Sequence, residues 1–165
     1  MATPTNLPAA AVTGEVLTAA YVNNLRGAFR ILQVTSGSYS TQTGNSTGTY
    51  AATGLTATIT PQAASSNILI SGTVSGSTSV AGAQLGLRLV RKIGATDTVL
   101  QTWTYSIYNS AGFSYAIVPF TVLENPNTTS ACVYRIEFAL TSGGNTVYTQ
   151  VGGSTSNIIL QEISG

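Results

Sequence analysis

Ala83-Gln84-Leu85-Gly86-Leu87-Arg88-Leu89-Val90-Arg91-Lys92-Ile93, then Gly94-Ala95-Thr96-Asp97, then Thr98-Val99-Leu100-Gln101-Thr102-Trp103-Thr104-Tyr105-Ser106-Ile107 is the stretch that decides the fold. Ala83, Leu85, Leu87, Leu89 and Ile93 stand on alternate positions, with Gln84, Arg88 and Lys92 opposite them. Past the turn residues, Val99, Trp103, Tyr105 and Ile107 alternate with Thr98, Thr102, Thr104 and Ser106. A period of two places successive side chains on opposite faces of a pleated strand, so both halves predict strands half buried against a core.

The same period extends outward in both directions. Upstream, Leu55, Ala57 and Ile59 alternate with threonines until Pro61 closes the run, and Ile68, Ile70, Gly72 and Val74 form another apolar face. Downstream come Ala116, Val118, Phe120 and Val122, then Cys132, Tyr134, Ile136, Phe138 and Leu140 opposed by Arg135 and Glu137. Weaker runs at Phe29 to Val34, Thr146 to Val151 and Asn157 to Ile163 complete the set. Turn chemistry separates them, including Tyr108 to Phe113 and Thr141 to Thr146, which read as hairpin loops. Eight to ten short strands with polar turns predict an all-β, jelly-roll-like β-sandwich of antiparallel strands over residues 29–165. An immunoglobulin-type sandwich is the alternative, although its Cys…Trp…Cys pattern is missing.

Residues 1–28 read differently. Pro4, Pro8 and the alanines Ala9 to Ala11 show neither period, which predicts an extended arm. Leu17 to Gly27 then predicts one short α-helix, with Thr18 as N-cap, Gly27 as C-cap and Leu17, Tyr21 and Leu25 on one face. Two to three turns are marginal alone in water, so this helix must dock on something. Leu17, Tyr21, Val22, Leu25 and Arg26 are the expected partner-binding residues of the arm.

Composition narrows the function. The chain has 165 residues, enough for one domain that buries roughly 69% of its extended surface. Only 7% of its residues are charged, against the usual ~25%. Its 26 threonines and 18 serines must cover the surface instead. A net charge of +1 offers nothing to nucleic acid or an anionic membrane, and suits a protein packed among copies of itself. The cluster Arg88, Arg91 and Lys92 reads as a solvated strand face or as a salt-bridge partner for a neighbouring subunit. The N-terminus has no basic region followed by an apolar one, so no signal peptide is expected. The lone Cys132 leaves no partner for an intrachain disulfide and reads as a small buried hydrophobe.

Chemistry is scarce. The chain contains no histidine, which removes Ser-His-Asp and Cys-His systems and, with a single cysteine, makes a zinc site implausible. No phosphate-binding glycine motif precedes a helix, and no cofactor is expected. The remaining enzymatic option is a carboxylate pair drawn from Asp97, Glu124, Glu137 and Glu162, set about 10 Å apart or closer as in glycoside hydrolysis. Glu137 beside Arg135 fits a solvated or cross-strand paired charge better, and a non-enzymatic protein is expected. Tyr39, Tyr50, Tyr108 and Tyr115 sit near loops and are the aromatics that could meet a ligand such as a glycan.

Three segments carry a resemblance. Val12-Thr13-Gly14-Glu15-Val16-Leu17-Thr18-Ala19-Ala20-Tyr21-Val22-Asn23-Asn24-Leu25 resembles the attachment segments of small tailed-bacteriophage virion proteins. Gly54 to Ile70, a strand–Pro–turn–strand unit, and Ile158 to Ile163 resemble the middle and the closing strand of the same group, which includes cyanophage proteins. Together they cover roughly a quarter of the chain. The resemblance implies a jelly-roll-like homotrimer on the virion surface, held to the major capsid protein or another virion protein. It implies a capsid decoration or cement protein, or alternatively a receptor- or glycan-binding knob of a tail or head fibre.

Overall fold

A computed structural model describes residues 31–108, 110 and 112–165. The expected arm and helix, and with them Leu17, Tyr21, Val22, Leu25 and Arg26, lie outside the described residues. Ten strands follow in order: β1 (Ile31–Tyr39), β2 (Thr43–Asn45), β3 (Ala51–Ile59), β4 (Asn67–Thr78), β5 (Gln84–Ile93), β6 (Thr96–Tyr108), β7 (Ser114–Glu124), β8 (Cys132–Ser142), β9 (Val147–Thr149) and β10 (Ser156–Ile163). A short 3₁₀ turn, Val151–Gly153, precedes the last strand.

Eight long strands make two antiparallel sheets. β1, β10, β4 and β7 lie side by side in one, and β3, β8, β5 and β6 in the other. The short β2 pairs with β9, which joins the end of β4 through Gly76 to Thr78 and makes the first sheet six-stranded. Four of the ladders nest: β1 with β10, β3 with β8, β4 with β7, β5 with β6. First pairs with last, second with second-last, and so inward. That nesting is one long hairpin rolled into a sandwich, which defines a jelly roll. The innermost pair, β5 and β6, turns through Gly94-Ala95, with Gly94 at φ 58°, the sign a type II′ turn needs at its first central position.

The alternation seen in the sequence becomes the core. Leu55, Ile59, Ile70, Leu87, Phe138 and Leu160 are among the side chains wholly removed from solvent between the sheets. Each contributes roughly 1.5–3 kcal/mol of transfer free energy. Cys132 is buried there as expected.

The two long sides of the sandwich close differently. On one, β1 lies against β3 across the sheet gap. Thr35 Oγ1 donates to Thr58 O at 3.0 Å and Gln33 Nε2 to Thr60 O at 2.6 Å. At Gly37 the two backbones approach so closely that a Cβ would lie 1.9 Å from Thr56 O. On the other, Trp103 of β6 tilts against Phe120 of β7 with ring centroids 5.9 Å apart.

Three expectations need correction. The segments Tyr108 to Phe113 and Thr141 to Thr146 are not hairpin loops, because β6 and β7, like β8 and β9, belong to different sheets. β1 runs on to Tyr39, past the expected Val34, because its serines and glycine are carried by the ladder to β10. Strict alternation also fails within β6. Ladder irregularities opposite Leu85/Leu87 and Leu89/Val90 insert extra residues, so Trp103 and Ile107 turn inward while Val99 and Tyr105 turn to solvent.

Candidate functional site

Register sorts every charge among the described residues into two places. Arg88, Lys92, Asp97, Arg135 and Glu137 stand on the outer face of the four-stranded sheet, because their strand neighbours in between point into the core. Arg91, Glu124 and Glu162 point inward instead. None of these side chains lies on the outer face of the six-stranded sheet.

Four of the outer charges, Arg88, Glu137, Arg135 and Asp97, form one chain of contacts. Arg88 Nε donates to Glu137 Oε2 at 2.7 Å, and Arg135 Nε donates to the other oxygen, Oε1, at 2.8 Å. Arg135 then grips Asp97 with both terminal nitrogens, at 3.0 and 2.8 Å. Tyr50 lies over the Arg88 guanidinium, 4.4 Å from ring centroid to Cζ. Its hydroxyl would stand 3.0 Å from a Cβ on Gly86, so the ring covers a strip of sheet that only small residues allow. Burial raises the Tyr50 phenol above its ordinary range, with Arg88 offsetting part of the effect.

Asp97 and Glu137 are thus brought together on one guanidinium. The hydrogen bonds from Arg135 hold the Asp97 carboxyl below its ordinary value of 3.8. A glycoside hydrolase pairs one ionised carboxyl with one kept protonated, and the Asp97 shift suits only the first of those roles. The folded pKa of Asp97 lies below the unfolded one, so its stabilisation is complete above the ordinary value and is lost as pH falls through the lowered one. Melting temperature is therefore expected to fall more steeply in the wild type than in Asp97→Asn between about pH 4 and pH 2. Equal slopes would show that the Arg135 contact is absent in solution.

The inward charges are buried between the sheets. Arg91 Nη1 meets Glu124 Oε2 at 2.6 Å, and the Tyr134 hydroxyl donates to Glu124 Oε1 at 2.5 Å. Burial first, then the bond to Glu124, pushes the Tyr134 phenol far above its usual range. Strand parity carries this triad: Arg91 shares a face with Leu89 and Ile93, Glu124 with Phe120 and Val122, and Tyr134 with Ile136. Arg91 is therefore no part of a solvated face with Arg88 and Lys92. Glu162 is fully buried, accepting from Gln33 Nε2 at 2.6 Å and the Gln62 backbone N–H at 2.7 Å.

The four tyrosines near loops divide. Tyr39 packs against the core beside Gly54, and Tyr50 is held over Arg88. Tyr108 and Tyr115 are 57% and 65% exposed, and they have company that sequence reading missed. Tyr105 is 71% exposed, and Phe113 stacks on Tyr115 at 6.2 Å and 11°. Only the irregular stretch of β6 could have signalled Tyr105. The Phe113–Tyr115 stack sits far from the arm junction. Ile31 pairs with Ile163, itself opposite Asn67 at one end of β4, while Tyr115 pairs with Ser77 at the other. Ten residues of strand separate them, roughly 34 Å.

No protein-family model and no curated protein matches the chain. Solved structures do. A chain of infectious bursal disease virus, Gx strain, superposes at a TM-score of 0.50 with 20% identity, covering 81% of this chain and 32% of that one. The D431N mutant VP2 protein of that virus, from derived T=1 particles, gives 0.44 and 14% identity over 80% of this chain and 36% of its own. The Gt strain gives 0.45 and 17% over 81% and 38%. The protein is an all-β jelly-roll sandwich of the kind present in the Gx-strain virus structure. It spans about a third of the length of the solved chains it matches.

Proposed function

We propose that the chain is a virion structural protein, acting as a capsid decoration or cement protein on the surface of a tailed-phage particle. The observation that carries this reading is the jelly-roll sandwich itself, a fold shared with a virus structure. A neutral Ser/Thr-rich surface and the phage-like segments at Val12 to Leu25, Gly54 to Ile70 and Ile158 to Ile163 support it. In this reading the protein assembles as a homotrimer and grips the major capsid protein through Leu17, Tyr21, Val22, Leu25 and Arg26. Many copies then bridge neighbouring capsomers, so weak contacts are multiplied by avidity. No cofactor and no catalytic step is involved.

Purified full-length protein and a truncation beginning at Arg30 would be mixed with empty capsids and sedimented. Co-sedimentation of the full-length form alone supports the anchor. Absence of both from the capsid pellet defeats the decoration role.

A second reading is favoured by one observation. The stacked Phe113 and Tyr115 expose aromatic faces at the end opposite the arm junction, with Tyr105 and Tyr108 exposed on β6 shortly before them in the chain, and a fibre knob would meet a receptor or glycan through such rings. Host-cell binding that is lost in Tyr108→Ala/Tyr115→Ala, with capsid binding absent, would favour this alternative.

A further inference from the structure

The outer face of the six-stranded sheet has a composition unlike any other surface of the described residues. Pairing sets its rows: Val34, Gln161, Leu69 and Leu123 in one, Ser36, Ile159, Ser71 and Thr121 in the next, then Ser38, Asn157, Thr73 and Pro119. Ile117 and Tyr115 continue the β7 column beyond them. Hydroxyls and amides alternate with aliphatics, and no charged side chain interrupts the face. Ile117 is 70% and Leu123 60% exposed, with Val34 and Ile159 also open to solvent. The opposite face carries Arg88, Lys92, Asp97, Arg135 and Glu137.

We infer that this uncharged face is the contact surface between copies of the chain, with the β7 column of Tyr115, Ile117 and Leu123 along one edge of it and the charged face turned to water. The inference deepens the assembly part of the proposed function and rests on that reading for its setting. Charge is what selects the occupant. A charged partner surface would lose its water here without meeting an opposite charge. Nucleic acid or an anionic membrane would find no lysine or arginine to contact. Beyond Tyr115 at one end, the face, with Ile117, Leu123, Val34 and Ile159, offers a sugar no ring to stack on. A second copy presents the same neutral face, so apolar groups are buried and hydroxyls and amides meet their like. The size fits as well. Four strands of 9, 8, 12 and 11 residues, at ~4.8 Å spacing and ~3.4 Å rise, give roughly 650 Å² before side-chain relief. A standard interface needs about 800 Å² per partner. β7 is also an edge strand, paired only with β4, and an uncovered apolar edge invites association.

The experiment is the solution mass of the full-length chain and four variants, by light scattering and sedimentation. Ile117→Lys/Leu123→Lys places two charges in the proposed contact; both positions are exposed, so the fold should survive, as circular dichroism would check. The expected result is a 16.9 kDa monomer for this variant, with the wild type a multiple of that mass. Val99→Lys, a change at a position 48% exposed on the four-stranded sheet, should keep the wild-type mass. Should the lysine variant fail to fold, Ile117→Ser is read instead, with association weakened about tenfold or more. The inference is overturned if the lysine variant keeps the wild-type mass, if Val99→Lys dissociates too, or if the wild type is itself monomeric. It is likewise overturned if removing residues 1–29 alone abolishes association, since the arm would then be the occupant. Capsid binding is scored separately: an anchor that binds shells while the lysine variant stays assembled sinks only this inference. A lysine variant that becomes monomeric in a protein that binds no shell leaves the inference standing and sinks the decoration role.

Discussion

Glu124→Ala is expected to lower the unfolding free energy by about 3–5 kcal/mol, as breaking a buried ion pair typically does. The Arg91 and Glu124 side chains are 15% and 12% exposed, so little solvent screens them. Removing Glu124 strands the Arg91 guanidinium between two sheets, and the Tyr134 hydroxyl loses its acceptor at the same time. Arg91 Nε already has no hydrogen-bond partner among the described residues, so nothing nearby can take up the charge. The triple replacement Arg91→Met, Glu124→Leu, Tyr134→Phe should come within about 1 kcal/mol of the wild type, because it removes the polar groups together and keeps their volume. Urea unfolding would show the difference as a lowered midpoint at unchanged slope for Glu124→Ala and a nearly wild-type midpoint for the triple variant. A cost under about 1 kcal/mol for Glu124→Ala would mean that water reaches the pair.

Gly37→Ala should be the second most damaging change, costing about 1–3 kcal/mol, the range for forcing extra atoms into a packed interior. The new Cβ would stand 1.9 Å from Thr56 O and 2.9 Å from its carbonyl carbon, both backbone atoms that no rotamer change can move. β1 would have to withdraw from β3 by more than an ångström. That movement would break the bonds from Thr35 to Thr58 O and from Gln33 to Thr60 O. Amide exchange should therefore quicken along β1 and β10 before it does in β5 or β8. Uniform quickening across both sheets would show that the side of the sandwich closed by β1 and β3 is not a separate unit.

Much of the fold could be read without coordinates. The inward sets Leu55 to Ile59, Leu85 to Leu89 and Cys132 to Leu140 are wholly or nearly wholly buried, as their alternation predicts. Parity even held the inner triad in view, since Arg91, Glu124 and Tyr134 each share a face with core residues. What hid it was the reading of Arg88, Arg91 and Lys92 as one cluster, when adjacent positions on a strand point to opposite faces. The exposed aromatics were half legible. Tyr108 and Tyr115 stood out by position, whereas Tyr105 alternates regularly in sequence and is turned outward only by the irregular ladder to β5.

Strand identity, the facing of most side chains and the absence of any histidine chemistry were thus properties of the sequence alone, because pleat geometry repeats every two residues and acts locally. Pairing was not. Backbone hydrogen bonds are the same for every residue, so nothing in β1 names β10 as its neighbour, and nothing near Glu162 announces Gln33, 129 positions away. Only when eight strands roll up together does burial select one set of partners. Among the described residues, the same selection gathered the outer charges onto one sheet and left the other face without any.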